Sequence, residues 1–145
     1  MKILLFCTVV AALGALFLAA VGPEGQRQSA AAQPAGRMIA HDVYFTLNDN
    51  SDQANEKLVA ACKQYLSTQP GTVWFAAGPR VEEYQRDVND RDFDVALHLV
   101  FKDKASHDKY QESREHQQFI EKTQESWKTV RVFDSYLDAT SRLQQ

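Results

Sequence analysis

Residues 93–101, FDVALHLVF, alternate without a break. Phe93, Val95, Leu97, Leu99 and Phe101 fall on one side, and Asp94, Ala96, His98 and Val100 on the other. A period of two over nine residues is a strand, and one with a wholly apolar face. Such a strand cannot stand alone. Its apolar side needs a cover and its edges need partners, so the rest of the chain must supply both.

Partners can be read on either side. Residues 41–47 place His41, Val43, Phe45 and Leu47 on one face and Asp42, Tyr44 and Thr46 on the other. Asn48-Asp49-Asn50-Ser51 is turn chemistry, with Ser51 or Asp52 able to cap a helix. Leu58, Cys62, Tyr65 and Leu66 then recur at helical spacing until Pro70-Gly71. Residues 72–77 read as a second strand, ended by Gly78-Pro79, and residues 79–92 as a polar loop. After the strand at 93–101, Asp103 caps a short polar helix through Tyr110. A further helical stripe carries His116, Phe119, Ile120, Thr123 and Trp127, and residues 129–136 form a last strand. The order β-α-β-β-α-β predicts an α+β, ferredoxin-like domain: a four-stranded antiparallel sheet with helices on one face.

One face of that sheet remains uncovered. The helices are assigned to the side of Val43, Phe45, Leu97, Leu99 and Val132. The other side mixes Asp42, Thr46, Thr72, Asp94 and Arg131 with Tyr44, Trp74, Val100 and Phe133. An exposed patch of that kind is rare on soluble monomers. A second copy packing sheet to sheet would bury it, and a two-fold interface needs only this one surface. A homodimer through Tyr44, Trp74, His98, Val100 and Phe133 is therefore expected. His98 would lie inside it, with protonation below about pH 6 expected to loosen the dimer.

Residues 1–21 set the compartment. One lysine precedes 19 residues, 3–21, that carry no charge and only Thr8 as a polar interruption. This is the pattern of a secretory signal, with cleavage near residues 20–22 or in the alanine run 30–32. Uncleaved, the run is long enough to anchor in a membrane. The expected division is 1–22 signal peptide (or anchor), 23–37 disordered linker, 38–138 folded domain and 139–145 tail, the protein being periplasmic or secreted. Without residues 1–37 the chain keeps 13 basic and 18 acidic residues, a net charge of −5. An acidic domain with no basic run excludes a nucleic-acid partner. Cys7 lies in the apolar run, so Cys62 is the remaining thiol, on an apolar helical face where an inert buried role is expected.

Motifs for phosphate cradles, zinc proteases and serine hydrolases do not occur. Asp87, Asp90, Asp92 and Asp94 suggest calcium, but a loop read from Asp90 puts Val95 at the turn glycine and Phe101 at the bidentate glutamate. A solvated loop is expected instead. No cysteine–histidine spacing for zinc is present, so no metal and no cofactor are expected. The polar helix containing His107 reads as a solvated face, and His107 is assigned no role.

What remains is His41, Tyr110, His116 and Asp134. His41 shares the face of Val43 and Phe45, His116 lies on an apolar stripe, and Asp134 follows Val130 and Val132 on one strand face. If those faces meet, imidazole, phenol and carboxylate border one apolar space able to move protons at neutral pH. Val43, Phe45, Leu97, Val132 and Asp134 are the candidate ligand-binding residues. The alternative is that each polar group is satisfied inside a filled core.

IAHDVYFTL, QPGTVWFAAG, DFDVALHLVFKDKASHDKYQESREHQQFI and VRVFDSYL together resemble the stress-responsive A/B barrel (Dabb) family, over residues 38–138. The third stretch is the most specific. The resemblance implies dimers in which two sheets form a barrel. It also implies, from polyketide-cyclase members, a Tyr–His pair with a further histidine on the first strand, matched here by Tyr110, His116 and His41. The chain departs from the family where a His-Pro pair is common, having Ser113 and Arg114.

Three functional readings follow. The first is an exported homodimer holding a small apolar ligand between sheet and helices. The second is a cofactor-independent enzyme acting on a carbonyl or polyketide-like substrate, with His116 as base, Tyr110 polarising the substrate and His41 or Asp134 orienting it. The third is a structural stress protein with a filled core.

Overall fold

A computed structural model describes residues 36–138. The apolar run, most of the linker and the tail at 139–145 lie outside the described residues. The elements are β1 (Met38–Leu47), α1 (Asp52–Leu66), β2 (Thr72–Pro79), β3 (Val95–Phe101), α2 (Lys104–Gln111), α3 (Arg114–Thr123) and β4 (Trp127–Leu137), with a short 3-10 turn, Gln124–Ser126, before β4. The strands lie in the order β2-β3-β1-β4, and every neighbouring pair is antiparallel. This is the expected ferredoxin-like arrangement, reached because each helix carries the chain over one strand position before the next strand begins.

Each helix starts where a side chain supplies the missing acceptor. Ser51 Oγ accepts from Ala54 N, Asp103 from Ser106 N, and Ser113 Oγ from His116 N. The inner sheet face and the helices enclose Val43, Phe45, Leu47, Leu58, Leu66, Val95, Leu97, Leu99, Phe101 and Phe119, all at least 95% buried. Burying each such side chain contributes about 1.5–3 kcal/mol. Cys62 sits fully inside this core, and burial pushes its thiol up to about 12, so it is inert as expected.

Two side chains depart from the sequence reading. The helix expected to run on to Trp127 ends at Thr123, and Trp127 opens β4 instead. Its indole packs 5.2 Å from the Phe45 ring and 5.8 Å from Phe119, closing the core at that end. Helical spacing placed Trp127 on the correct side for the wrong reason, since a 3-10 turn and a strand start reach the same space. Phe93, placed with Val95 and Leu97 by alternation, precedes β3 and packs 5.0 Å from Tyr44 on the opposite face. There the chain has left the strand: Asp94 bonds across to Phe45 through its backbone N–H and to the Leu47 N–H through its carboxylate.

The outer face carries the expected apolar surface. Trp74 and Phe133 are 54% and 53% exposed, and Tyr44 joins Phe133 at 5.7 Å between ring centres. Val73, the extra residue of a bulge between Thr72 and Trp74, is exposed as well. In the middle, His98 Nδ1 lies 2.6 Å from Asp42, its direct cross-strand partner. That pair places a carboxylate against the imidazole on the face expected to form the interface.

Candidate functional site

Neighbouring residues of β1 make two His–Asp pairs on opposite sides of the sheet. Asp42 reaches His98 of β3 on the outer face, while His41 faces the helices and pairs with Asp134 of β4, its direct partner in the register. Residues directly opposite on one face are close enough to touch. The His41 Nδ1–H donates to Asp134 Oδ1 over 2.7 Å, which leaves Nε2 as the basic nitrogen.

Around His41 stand α2 and the start of α3. Tyr110 lies 5.6 Å from the His41 ring and 4.5 Å from that of His116. The His116 Nδ1–H donates to the Gln111 carbonyl at 3.1 Å, so this imidazole also presents Nε2 as acceptor. His41, Tyr110, His116 and Asp134 are thus brought together at one end of the inner face. Three of the five candidate ligand-binding residues sit elsewhere. Val43, Phe45 and Leu97 are solid core, at most 5% exposed, whereas Val132, opposite Val43 on β4, is 49% exposed.

The reason is the cover. The helices pack over β1, β2 and β3, and the inner face of edge strand β4 stays open beyond Val130. Beside α2 this leaves a cleft of about 290 Å³ lined by Ile39, Lys104, His107, Asp108, Asp134, Ser135 and Tyr136. Of the candidate site residues, Asp134 alone lines this α2–β4 cleft.

His107 is the residue that sequence reasoning missed. Its side chain is 14% exposed, its Nε2 lies 3.6 Å from Asp134 Oδ1, and its ring stands 5.1 Å from that of His41. The signal was available: His107 is three residues before Tyr110, so one turn of α2 carries both on the same face.

Burial sets the protonation of the site. It holds His41 below the ordinary histidine range against the raising effect of Asp134, and it lowers His116 against the Gln111 carbonyl, with His41 and His107 adding repulsion. Burial raises the Tyr110 phenol, which stays protonated as a donor. A histidine whose folded pKa lies below its unfolded value of 6.5 stabilises the fold above that pH, and the contribution is lost as pH falls through the folded value. Unfolding free energy should therefore drop as pH is lowered from about 6.5, and the double variant His41→Gln/His116→Gln should flatten that slope. Denaturant titrations from about pH 7.5 to about pH 5 measure it, and parallel slopes in the two proteins would refute the assignment.

A four-stranded antiparallel sheet with helices on one face and a polar cluster at the open end of that face defines a ferredoxin-like α+β domain. The stress-responsive A/B barrel domain model matches residues 39–137, and the chain belongs to that family. No curated relative matches it in sequence. Among solved structures, it is similar to a Dabb family protein from Mesorhizobium loti. The two share 21% identity at a TM-score of 0.58, over 71% of this chain and 99% of that one. It is similar also to a dimeric ferredoxin-like protein from Thermobifida fusca, 16% identical at a TM-score of 0.59, over 73% and 96% of the two chains. A third similar structure is the hydroxynitrile lyase from Passiflora edulis, 16% identical at a TM-score of 0.58, over 75% and 100%.

Proposed function

We propose that this protein is an exported homodimer that admits a small, mostly apolar ligand bearing a carbonyl at the α2–β4 mouth and moves a proton on it. The observation that carries this reading is the meeting of His41, His107, Tyr110, His116 and Asp134 at one end of the inner face, where His107 and Asp134 line the α2–β4 cleft while His41 and Tyr110 are buried. Buried neutral imidazoles with free Nε2 atoms are bases near neutral pH, and a protonated phenol beside them is a donor to a carbonyl oxygen. In this reading His116 is the base, Tyr110 polarises the ligand, and Asp134 holds His41 in its tautomer. Export rests on the pattern of residues 1–22. The dimer is supported by the exposed outer face and by the similar structures described as dimeric. The filled core about Phe45 favours a structural role for that end alone.

Native mass spectrometry of the purified protein tests the reading by the small molecule it retains. Tyr110→Phe should then abolish retention or lower turnover of that compound by about 10²-fold or more, with little change in stability. A clear loss of thermal stability in His116→Ala, of about 1–3 kcal/mol, with the ligand still held, would make these groups structural.

A further inference from the structure

His107 is not needed for proton exchange between Tyr110 and His116, yet the fold brings it against the same carboxylate that holds His41. We propose that His41, His107 and Asp134 bind one divalent transition-metal ion of the zinc type, with its open coordination position facing the α2–β4 cleft.

The donor set comes first. One ligand atom from each of the three residues falls within 4.8 Å of the others. Two imidazoles and one carboxylate are a borderline-soft set, suited to zinc and its neighbours and unsuited to magnesium or calcium, which take oxygen ligands. Three protein ligands with a fourth position left open is the arrangement of zinc sites that also hold water or a small ligand.

Two of the three ligand spacings are close to those of a zinc site, and the third, between His41 and His107, is within 4.8 Å and has to close by up to about 1.5 Å. Ligand atoms across a tetrahedral zinc with bonds of about 2.0–2.1 Å stand about 3.3 Å apart. His107 Nε2 and Asp134 Oδ1 are already 3.6 Å apart. His41 Nδ1 and Asp134 Oδ1, at 2.7 Å, share a proton that the ion would replace, and they need to open by about half an ångström. Asp134 can yield that much, being half exposed on an edge strand, while His41 is fixed in the core. His107 Nε2 accepts from the Gln111 amide at 3.1 Å, so the exposed amide has to turn away to free the lone pair for the ion. Its Nδ1 lies 3.8 Å from Asp108, whose carboxylate is anchored by Lys104 at 2.6 Å. A carboxylate hydrogen-bonded behind a ligating histidine is the usual outer-shell support, and Asp108 has to close in by several tenths of an ångström to give it. The cleft is lined by His107 and Asp134, which provides the entry path.

The proposal concerns metal binding alone and does not rest on turnover. Isothermal titration of the full chain with zinc chloride, with magnesium chloride in parallel, should show one zinc ion per protomer at micromolar or tighter affinity and no magnesium binding. His107→Ala and Asp134→Asn should each weaken zinc by at least about tenfold. His98→Ala should leave it unchanged, although His98 and Asp42 offer another imidazole and carboxylate on the opposite face. Cobalt substitution in the unmodified protein gives a readout that needs no variant: strong visible absorption reports a four-coordinate ion with nitrogen ligands. Zinc binding no tighter than millimolar, affinity unchanged in His107→Ala, or only the weak cobalt spectrum of an octahedral ion would each overturn the proposal.

Discussion

Trp74→Glu should turn the dimer into monomer or aggregate at micromolar concentration. Trp74 is 54% exposed on the outer face, within 6.2 Å of His98 and beside Val100, its partner in the β2–β3 register. With Phe133 and Tyr44 on the same face it makes a surface that a second sheet of the same shape would bury. Large aromatics at the centre of an interface typically contribute 2 kcal/mol or more, and a carboxylate in the same place adds an unpaired charge. The substitution should weaken the dimer by about 30-fold at least. Sedimentation or light scattering reads the mass directly. Val88→Glu, in the loop between β2 and β3 and 86% exposed, should leave it unaltered. A monomeric unmodified protein, or a dimeric Trp74→Glu, would remove this interface.

Gly71→Ala should destabilise the fold strongly although it adds one methyl group. Gly71 has φ of 85°, in the region that L-residues disfavour by about 1–2 kcal/mol. A Cβ there would also stand 2.3 Å from Ser106 Oγ and 2.5 Å from Ser106 Cβ. Ser106 cannot step aside freely, because Asp103 holds both its N–H and its hydroxyl at 2.7 Å. Overpacking of this kind adds about 1–3 kcal/mol. The sum, about 2–5 kcal/mol, corresponds to a fall in Tm of about 10 °C or more for a domain of this size. Because the clash falls on the first turn of α2, it also displaces His107 and Tyr110. Calorimetry would refute the account if Tm moved by less than about 3 °C.

Much of the fold was legible in the residues. Alternation in β1 and β3 set which side chains face the helices, because the pleat allows only two directions. Ser51 and Asp103 marked helix starts, since each supplies an acceptor that the first turn lacks. The Tyr110–His116 pairing was also within reach, being local in sequence. Phe93 was misread because periodicity does not say where a strand begins, and Trp127 because two kinds of backbone can deliver one ring to the same core.

Sequence alone, then, determined the element order, the inward faces and an apolar outer face in need of a partner. These depend on local backbone preference and on hydrophobic period, both of which are properties of neighbouring residues. The tertiary structure decided the rest. It chose the register that sets His41 against Asp134 and Asp42 against His98, it left the inner face of β4 uncovered, and it swung His107 to the same carboxylate. No local pattern encodes those contacts, because they join residues far apart in the chain and follow from how the helices are laid across the sheet.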